Sequence, residues 1–368
     1  MNRALAWLTA LSFAFGCAEP QTTADPIAQT WHAAAEPEIQ FGGDDDPAGP
    51  LFRITGLARL RDGILVVNAG DHSVRLYSAD GTLVSSLGRE GFGPGEFKSP
   101  RLVKRLPGDS LIIHDGLNRR LSVVCDGKYV CAESPVATLG SVIGIAGGFA
   151  LAERPRGAAG GEGQLMDSVQ YLSSRLNDSS FDVILMMEGT PRQMGRVGGG
   201  GGSLPVPLTR PPSAAVAESV LVLNNGRDAV LRIFDFHGLE QPGITLPIPL
   251  EPVTESEFRD VIEDRIQGFP DQRQAAFRPL FEAMSSPAHR PVIRRILIDR
   301  TGLIWAEREH VDRDLHSWMV VDLQGRVLAE VTTPPRLTVE EIGVDYVLGV
   351  WRDPLDVEYV RMHRLSRE

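Results

Sequence analysis

The feature that most constrains this chain is a repeat. Residues 56–88 (GLARLRDGILVVNAGDHSVRLYSADGTLVSSLG) and 101–134 (RLVKRLPGDSLIIHDGLNRRLSVVCDGKYVCAES) follow one plan. An apolar strand and a tight turn lead to a second strand ending on a polar residue. A short polar loop, a third strand, an Asp-Gly turn and a fourth strand follow. Asn68 and His114 hold equivalent places 46 residues apart, as do Asp80-Gly81 and Asp126-Gly127. Short β-branched runs punctuated by turn dipeptides predict strands and hairpins. A supersecondary unit that recurs in this way buries its faces against neighbouring copies.

The plan returns, more diverged, along the rest of the chain. SVIGIAGGFALAERP (141–155) opens a third unit, continued by VQYLSSRL and FDVILMME. Residues 213–249 make a fourth, 292–333 a fifth, and 337–366 supply three strands of a sixth. Pro37 to Gly43 reads as a lone fourth strand before the first full unit. Pairing it with the last C-terminal strand completes the sixth sheet and leaves only short, protected edges. The expected fold is all-β: a six-bladed β-propeller over 37–368, closed by the N-terminal strand in the last blade.

Two segments interrupt the plan. Residues 188–212, including GRVGGGGGSLPVPLTRPP, read as a flexible low-complexity loop. Residues 253–285 read as a helical hairpin between blades 4 and 5. Thr254 and Glu257 fit a capping box, and Phe258, Val261, Ile262 and Ile266 follow helical spacing. Between blades 1 and 2, LGREGFGPGEFKSP (87–100) reads as a corner with Phe97 plugging the blades; no helix follows to hold a phosphate.

The first residues address the chain for export. A basic Met1-Asn2-Arg3 precedes an apolar run from Ala4 to Phe15, too short to span a bilayer, and then Gly16-Cys17. This resembles a lipoprotein signal (1–17) with Cys17 lipidated; cleavage after Ala18 is the alternative. Residues 18–36 read as a tether. The expected location is the periplasm or cell surface, anchored to the outer membrane by lipid alone. An oxidising compartment allows a disulfide between Cys125 and Cys131, although the two are not obviously opposite each other in their hairpin. The net charge of −11 argues against a nucleic-acid partner.

The stretch GILVVNAGDHSVRLYSADGTLVSSLGREGFGPGEFKSP resembles the NHL repeat, with the Asp-Gly turn followed by G-x-x-G-x-G-x-G-x-F-x-x-P. His114 to Arg120 (HDGLNRR) gives the best match to the repeat's polar loop. As a whole the chain resembles bacterial exported six-bladed propeller lipoproteins. The resemblance implies a fold and little about activity, since propellers host binding scaffolds, lyases and lactonases alike.

Because strands alternate in direction, the loops between strands two and three share a face, here called the top, with the inter-blade connections. The candidate binding residues lie there: Asn68, His72, Arg89, Glu90, His114, Asp115, Glu153, Asn224, Glu307 and His310. The polar residues ending each second strand read either as ligands or, with greater weight, as caps of their own loops. Arg89 and Glu90 read more readily as a salt-bridged corner than as an acid–base pair. The innermost strands GLARL, RLVKRL and SAAVAES show no clear set of converging carboxylates. The favoured function is a cell-envelope binding or interaction module, monomeric, with an envelope protein or small ligand as partner and no cofactor. The alternative is a metal-dependent lyase or lactonase using calcium or zinc; the eight histidines show no metal spacing. Trp305, Trp318 and Trp351 read as core residues before sugar platforms.

Overall fold

A computed structural model describes residues 29–44, 46–135, 140–158, 161–176, 180–197, 200–312 and 314–367. The signal and Cys17 lie outside these residues. The chain is mostly β, built of antiparallel strands in six sheets.

Sheet 1 comprises Ile54–Leu60, Gly63–Asn68, Ser73–Tyr77 and Leu83–Leu87, and sheet 2 comprises Pro100–Arg105, Leu111–Asp115, Arg120–Cys125 and Tyr129–Pro135. Sheet 3 contains Ser141–Ala146, Phe149–Arg156, Gly163–Arg175, Asp182–Val197 and Gly200–Pro205. Sheet 4 contains Ser213–Val216, Leu221–Asn224, Val230–Phe234 and Glu240–Thr245. Sheet 5 is formed by Ile293–Ile298, Ile304–Arg308, His316–Val321 and Val327–Thr333, and sheet 6 by Leu337–Ile342, Tyr346–Arg352 and Glu358–Ser366.

The core lies between sheets, which explains the second strands. GILVVN is buried at every position because its two faces pack on different neighbours. Ile64 and Val66 join Leu348 and Val350 of sheet 6, while Leu65 and Val67 join Leu111 and Ile113 of sheet 2. A strand covered on both faces needs a continuous apolar run rather than an alternating one. Further clusters join sheets 2 and 3, 3 and 4, 4 and 5, and 5 and 6.

The N-terminal strand Ile39–Gly42 pairs antiparallel with Glu358–Ser366, so a strand that precedes sheet 1 joins the last strand in sheet 6. The expected tether is shorter than 18–36. Gln29–Thr30 runs parallel to the last strand of sheet 5, and His32–Ala33 pairs with Glu358–Ser366. Between them Trp31 is buried, 5.9 Å from Trp305. A buried indole holds down a segment whose composition alone reads as a linker.

The segment 188–212 also departs from expectation. Its first half continues the strand Asp182–Val197, and Gly200–Pro205 returns beside it as a fifth strand. Helices α1 (Glu255–Gln267) and α2 (Asp271–Glu282) follow sheet 4 and pack on this hairpin through Val206, Phe258, Ile262, Ile266 and Phe281. A Cβ at Gly195 would stand 3.2 Å from Leu280, and one at Gly202 2.5 Å from Val197 across the hairpin. Gly195 thus lets α2 approach the strands closely. Thr254 caps α1 by accepting from the Glu257 N–H, while the Glu257 carboxylate pairs with Arg290 rather than closing a capping box.

Candidate functional site

Several candidates prove to be caps. Asn68 is fully buried; its Oδ1 accepts from the Phe52 N–H at 3.0 Å and its amide donates to the Pro50 carbonyl. Asn224 donates to the carbonyls of Asp228 and Val230 and accepts from the Gly226 N–H. The Asp115 carboxylate accepts from the backbone N–H groups of Lys98, Ser99 and Asn118. Every such bond satisfies a loop group that would otherwise be unpaired.

The corner 87–100 is likewise self-contained. Phe97 is 0 % exposed between sheets 1 and 2. Gly88 has φ +90°, and a Cβ there would lie 2.6 Å from the Phe97 ring, so glycine is required. Arg89 bonds Glu96 at 2.7 Å and Glu90 bonds Lys98 at 2.7 Å. The Lys98 hydrogen bond holds the Glu90 carboxyl below the ordinary range. His72 sits in the nearby turn with φ 61°, and its buried Nδ1 has no partner among the described residues.

Glu307 is buried in an ionic network. It accepts from Arg295 Nε at 2.6 Å and lies 2.7 Å from His316 Nδ1. Burial alone would push its carboxyl up, but the bonds to His316 and Arg295 outweigh that and hold it low. Beside it, Arg294 approaches Glu309, which Arg210 engages through both carboxylate oxygens.

Arg210, Glu309 and Arg294 of this network line a cleft of about 1120 Å³ between α1 and the loops of sheets 4 and 5. Arg210, Arg290, Arg294 and Arg308 line it, each partly buried and each paired with a carboxylate. Leu208, Ile248, Val261 and Val292 add apolar surface. His310 lies in its wall, 2.6 Å from the Ser317 hydroxyl. Burial and the charges of Arg308 and Arg294 hold the His310 imidazole below its ordinary pKa.

His114 and Glu153 behave differently from the other second-strand residues. His114 is 4 % exposed and its Nε2 has no partner among the described residues. Burial brings its pKa down to about 4. Glu153 is half-buried, and desolvation, only partly offset by Arg101, raises its carboxyl. Its cross-strand neighbour Tyr171 is fully buried with an unpartnered hydroxyl.

Glu340, which sequence reasoning missed, is a second carboxyl raised by burial. The innermost strands of sheets 1, 2, 3, 5 and 6 all carry a register shift against their second strands. In sheet 6 the extra residue is Glu340, between Val339, which pairs with Gly349, and Glu341, which pairs with Leu348. A bulge re-aims the residue it inserts. Burial raises the Glu340 carboxyl despite Arg295 and Arg101. The only signal for it in the sequence was the acidic pair in LTVEEI, a sixth-unit strand too diverged to align on the first.

Other calls resolve more simply. Cys125 and Cys131 form a disulfide, with Cα atoms 5.9 Å apart. The ladder slips between Val123 and Val124, leaving Cys131 outside the paired register and within reach of Cys125, whose ladder partner is Tyr129. Trp305 and Trp318 are core, and Trp351 lies under Arg361 at 3.5 Å. Among the described residues no three His, Cys, Asp or Glu side chains gather as a metal site would require, and no helix is long and apolar enough to cross a membrane.

No family model matches the chain, and no curated protein matches it in sequence. Among solved structures it is similar to a DUF4221 family member from Bacteroides vulgatus ATCC 8482 (9 % identity, 92 % of this chain and 98 % of that one, TM-score 0.52). It is also similar to a candidate exported protein from Bacteroides fragilis NCTC 9343 (10 % identity, 93 % and 97 % covered, TM-score 0.47). A third match is a streptogramin B lyase (9 % identity, 85 % and 93 % covered, TM-score 0.37). At these identities the likeness concerns fold alone, and the fold is propeller-like.

Proposed function

We propose that the six sheets are the blades of a six-bladed β-propeller with NHL-like blades, closed in sheet 6 and carrying α1–α2 as an insertion between blades 4 and 5. In this reading the protein is a monomeric cell-envelope binding module, exported and held to the outer membrane through a lipid on Cys17. Its partner is an envelope protein or a small ligand that docks on the top face.

The observation that carries the reading is the cleft beneath α1. A space of about 1120 Å³ with an apolar wall and a floor of partly buried guanidinium groups has the size and mixed lining of a ligand site. Each arginine retains N–H groups beyond those its carboxylate uses, so the floor can donate to a ligand without an unbalanced buried charge. The lyase or lactonase alternative gains no matching observation, because the polar candidates on the top face divide into caps, ion pairs and separate clusters.

A crystallographic fragment screen tests the reading. Fragments should collect in the cleft, and Val261→Trp, which fills it, should exclude them. Fragments that bind elsewhere and leave the cleft empty would overturn it. The intact mass of the exported protein tests the anchor: a lipid-modified Cys17 at the N-terminus supports it, and an unmodified terminus after Ala18 contradicts it.

A further inference from the structure

We propose that the cleft beneath α1 takes a small monocarboxylate with an apolar chain, its carboxylate held by Arg308 and Arg294 and its chain against the apolar lining. This assignment rests on the reading of the cleft as a ligand site and adds the class of ligand.

Charge at this end of sheet 5 does not balance. Arg210 and Arg294 pair with Glu309, and Arg294 and Arg295 with Glu307. Three guanidinium groups thus share two carboxylates, and one positive charge is left over. His316 also leans on Glu307, so it takes none of that excess away. Arg308 is less satisfied still. It is half-buried, makes no side-chain hydrogen bond among the described residues, and its nearest carboxylate, Glu330, is 3.8 Å away. A guanidinium partly withdrawn from water with its donors unused is costly to keep and ready to take an anion.

Register places the two arginines together. Arg308 is the cross-strand partner of Ile293, and Arg294 is the residue that the bulge inserts next to Ile293. Both line the cleft. Apolar surface continues from the lining to the mouth. Val311 and Leu315 line the cleft and are 72 % and 39 % exposed. Leu250, between the lining residues Pro249 and Glu251, is 42 % exposed. One exposed apolar residue needs no explanation, but three around one opening mark a surface suited to an apolar ligand.

The chemistry then selects the ligand. An apolar chain accounts for the lining and the mouth, and one anionic head for the unbalanced charge. A carboxylate matches the planar fork of a guanidinium. A dianion would exceed the charge left over and would meet Glu309. An alkylammonium would meet the guanidinium groups. The other acidic groups of the lining, Glu251, Asp264 and Asp312, are exposed, as is Arg265, so water and salt screen them. Burial, with the charges of Arg308 and Arg294, favours the neutral form of His310, which adds a hydrogen-bonding edge to the wall.

The test is calorimetric titration of the purified exported chain with octanoate, octanol, octylammonium and acetate. Octanoate should bind roughly tenfold or more tightly than each of the others. Arg308→Gln should bring octanoate down to the affinity of octanol and leave octanol unchanged. Arg308→Lys keeps the charge and should retain part of the preference. The comparison of octanoate with octanol on the wild-type chain needs no variant, which covers the case in which a substitution fails to fold. Val261→Trp should abolish octanoate binding. Equal affinities for octanoate and octanol, lost together in Val261→Trp, would overturn the choice of ligand and leave the cleft a ligand site. So would absence of octanoate binding at millimolar concentration while fragments fill the cleft. Octanoate that binds Val261→Trp unchanged would sit elsewhere and would overturn the assignment. Fragments that avoid the cleft would overturn both readings.

Discussion

Asn224 ends the second strand of sheet 4, and Glu153 lies within the second strand of sheet 3 at the place the repeat makes equivalent; the first is buried and the second half-buried. Asn224 has its amide donors and carbonyl oxygen engaged by its own loop. Glu153 has a raised carboxyl and no hydrogen bond to hold it. The same contrast separates Asp115, which organises three backbone N–H groups, from its neighbour His114, whose Nε2 has no partner among the described residues. Burial of a polar residue therefore does not mark a functional site in this fold. What distinguishes one is a buried polar atom that the chain itself leaves unpaired.

Substitutions should separate the two kinds of position. The largest effect is expected at the corner, where Phe97→Ala should cost roughly 3–5 kcal/mol in chemical denaturation because the side chain is wholly buried. Unchanged stability would break the account of the corner as structural. Asp115→Ala should come next, at about 2–4 kcal/mol, since it strips the acceptor from three backbone donors at once. Reduction of the Cys125–Cys131 disulfide should cost about 2 kcal/mol, as expected for so short a loop.

The smallest effect should be at Glu340. Glu340→Gln is expected to change stability by less than about 1 kcal/mol at neutral pH, and in the stabilising direction, because no hydrogen bond is lost and a desolvated charge is removed. The pH dependence sharpens this. The folded-state carboxyl is raised, so the native state binds its proton more tightly than the unfolded chain does. Wild type should therefore lose stability relative to Glu340→Gln as pH climbs from the ordinary glutamate range through the raised value. Parallel stability curves for the two proteins would place Glu340 among the satisfied residues after all.

Much of the architecture was legible because it rests on local chemistry. Asp-Gly turns and β-branched runs set the four-strand unit, and the half-unit around Ile39 and Phe41 foretold its pairing with Glu358–Ser366. Thr254 announced the start of α1. The failures share a cause, which is that tertiary contact overrode composition. The glycine run 198–202 reads as a loop because glycine weakens strands. Gly202 is nonetheless in a strand, where its small size makes room for Val197 across the hairpin. Residues 29–33 read as tether, although the lone Trp31 was a sign that something there is buried. The candidate site was half legible. Position in the repeat found His114 and Glu153, but it could not tell them from Asn68 and Asn224, because satisfaction depends on loops of different length. The bulge that displaces Glu340 leaves no mark in the sequence.

The most direct test is a crystallographic fragment screen of the wild-type protein beside Val261→Trp. The account predicts fragments in the cleft beneath α1, against the guanidinium groups of Arg210, Arg290, Arg294 and Arg308, and none there in the variant. Fragments that bind elsewhere and leave the cleft empty in both proteins would contradict it.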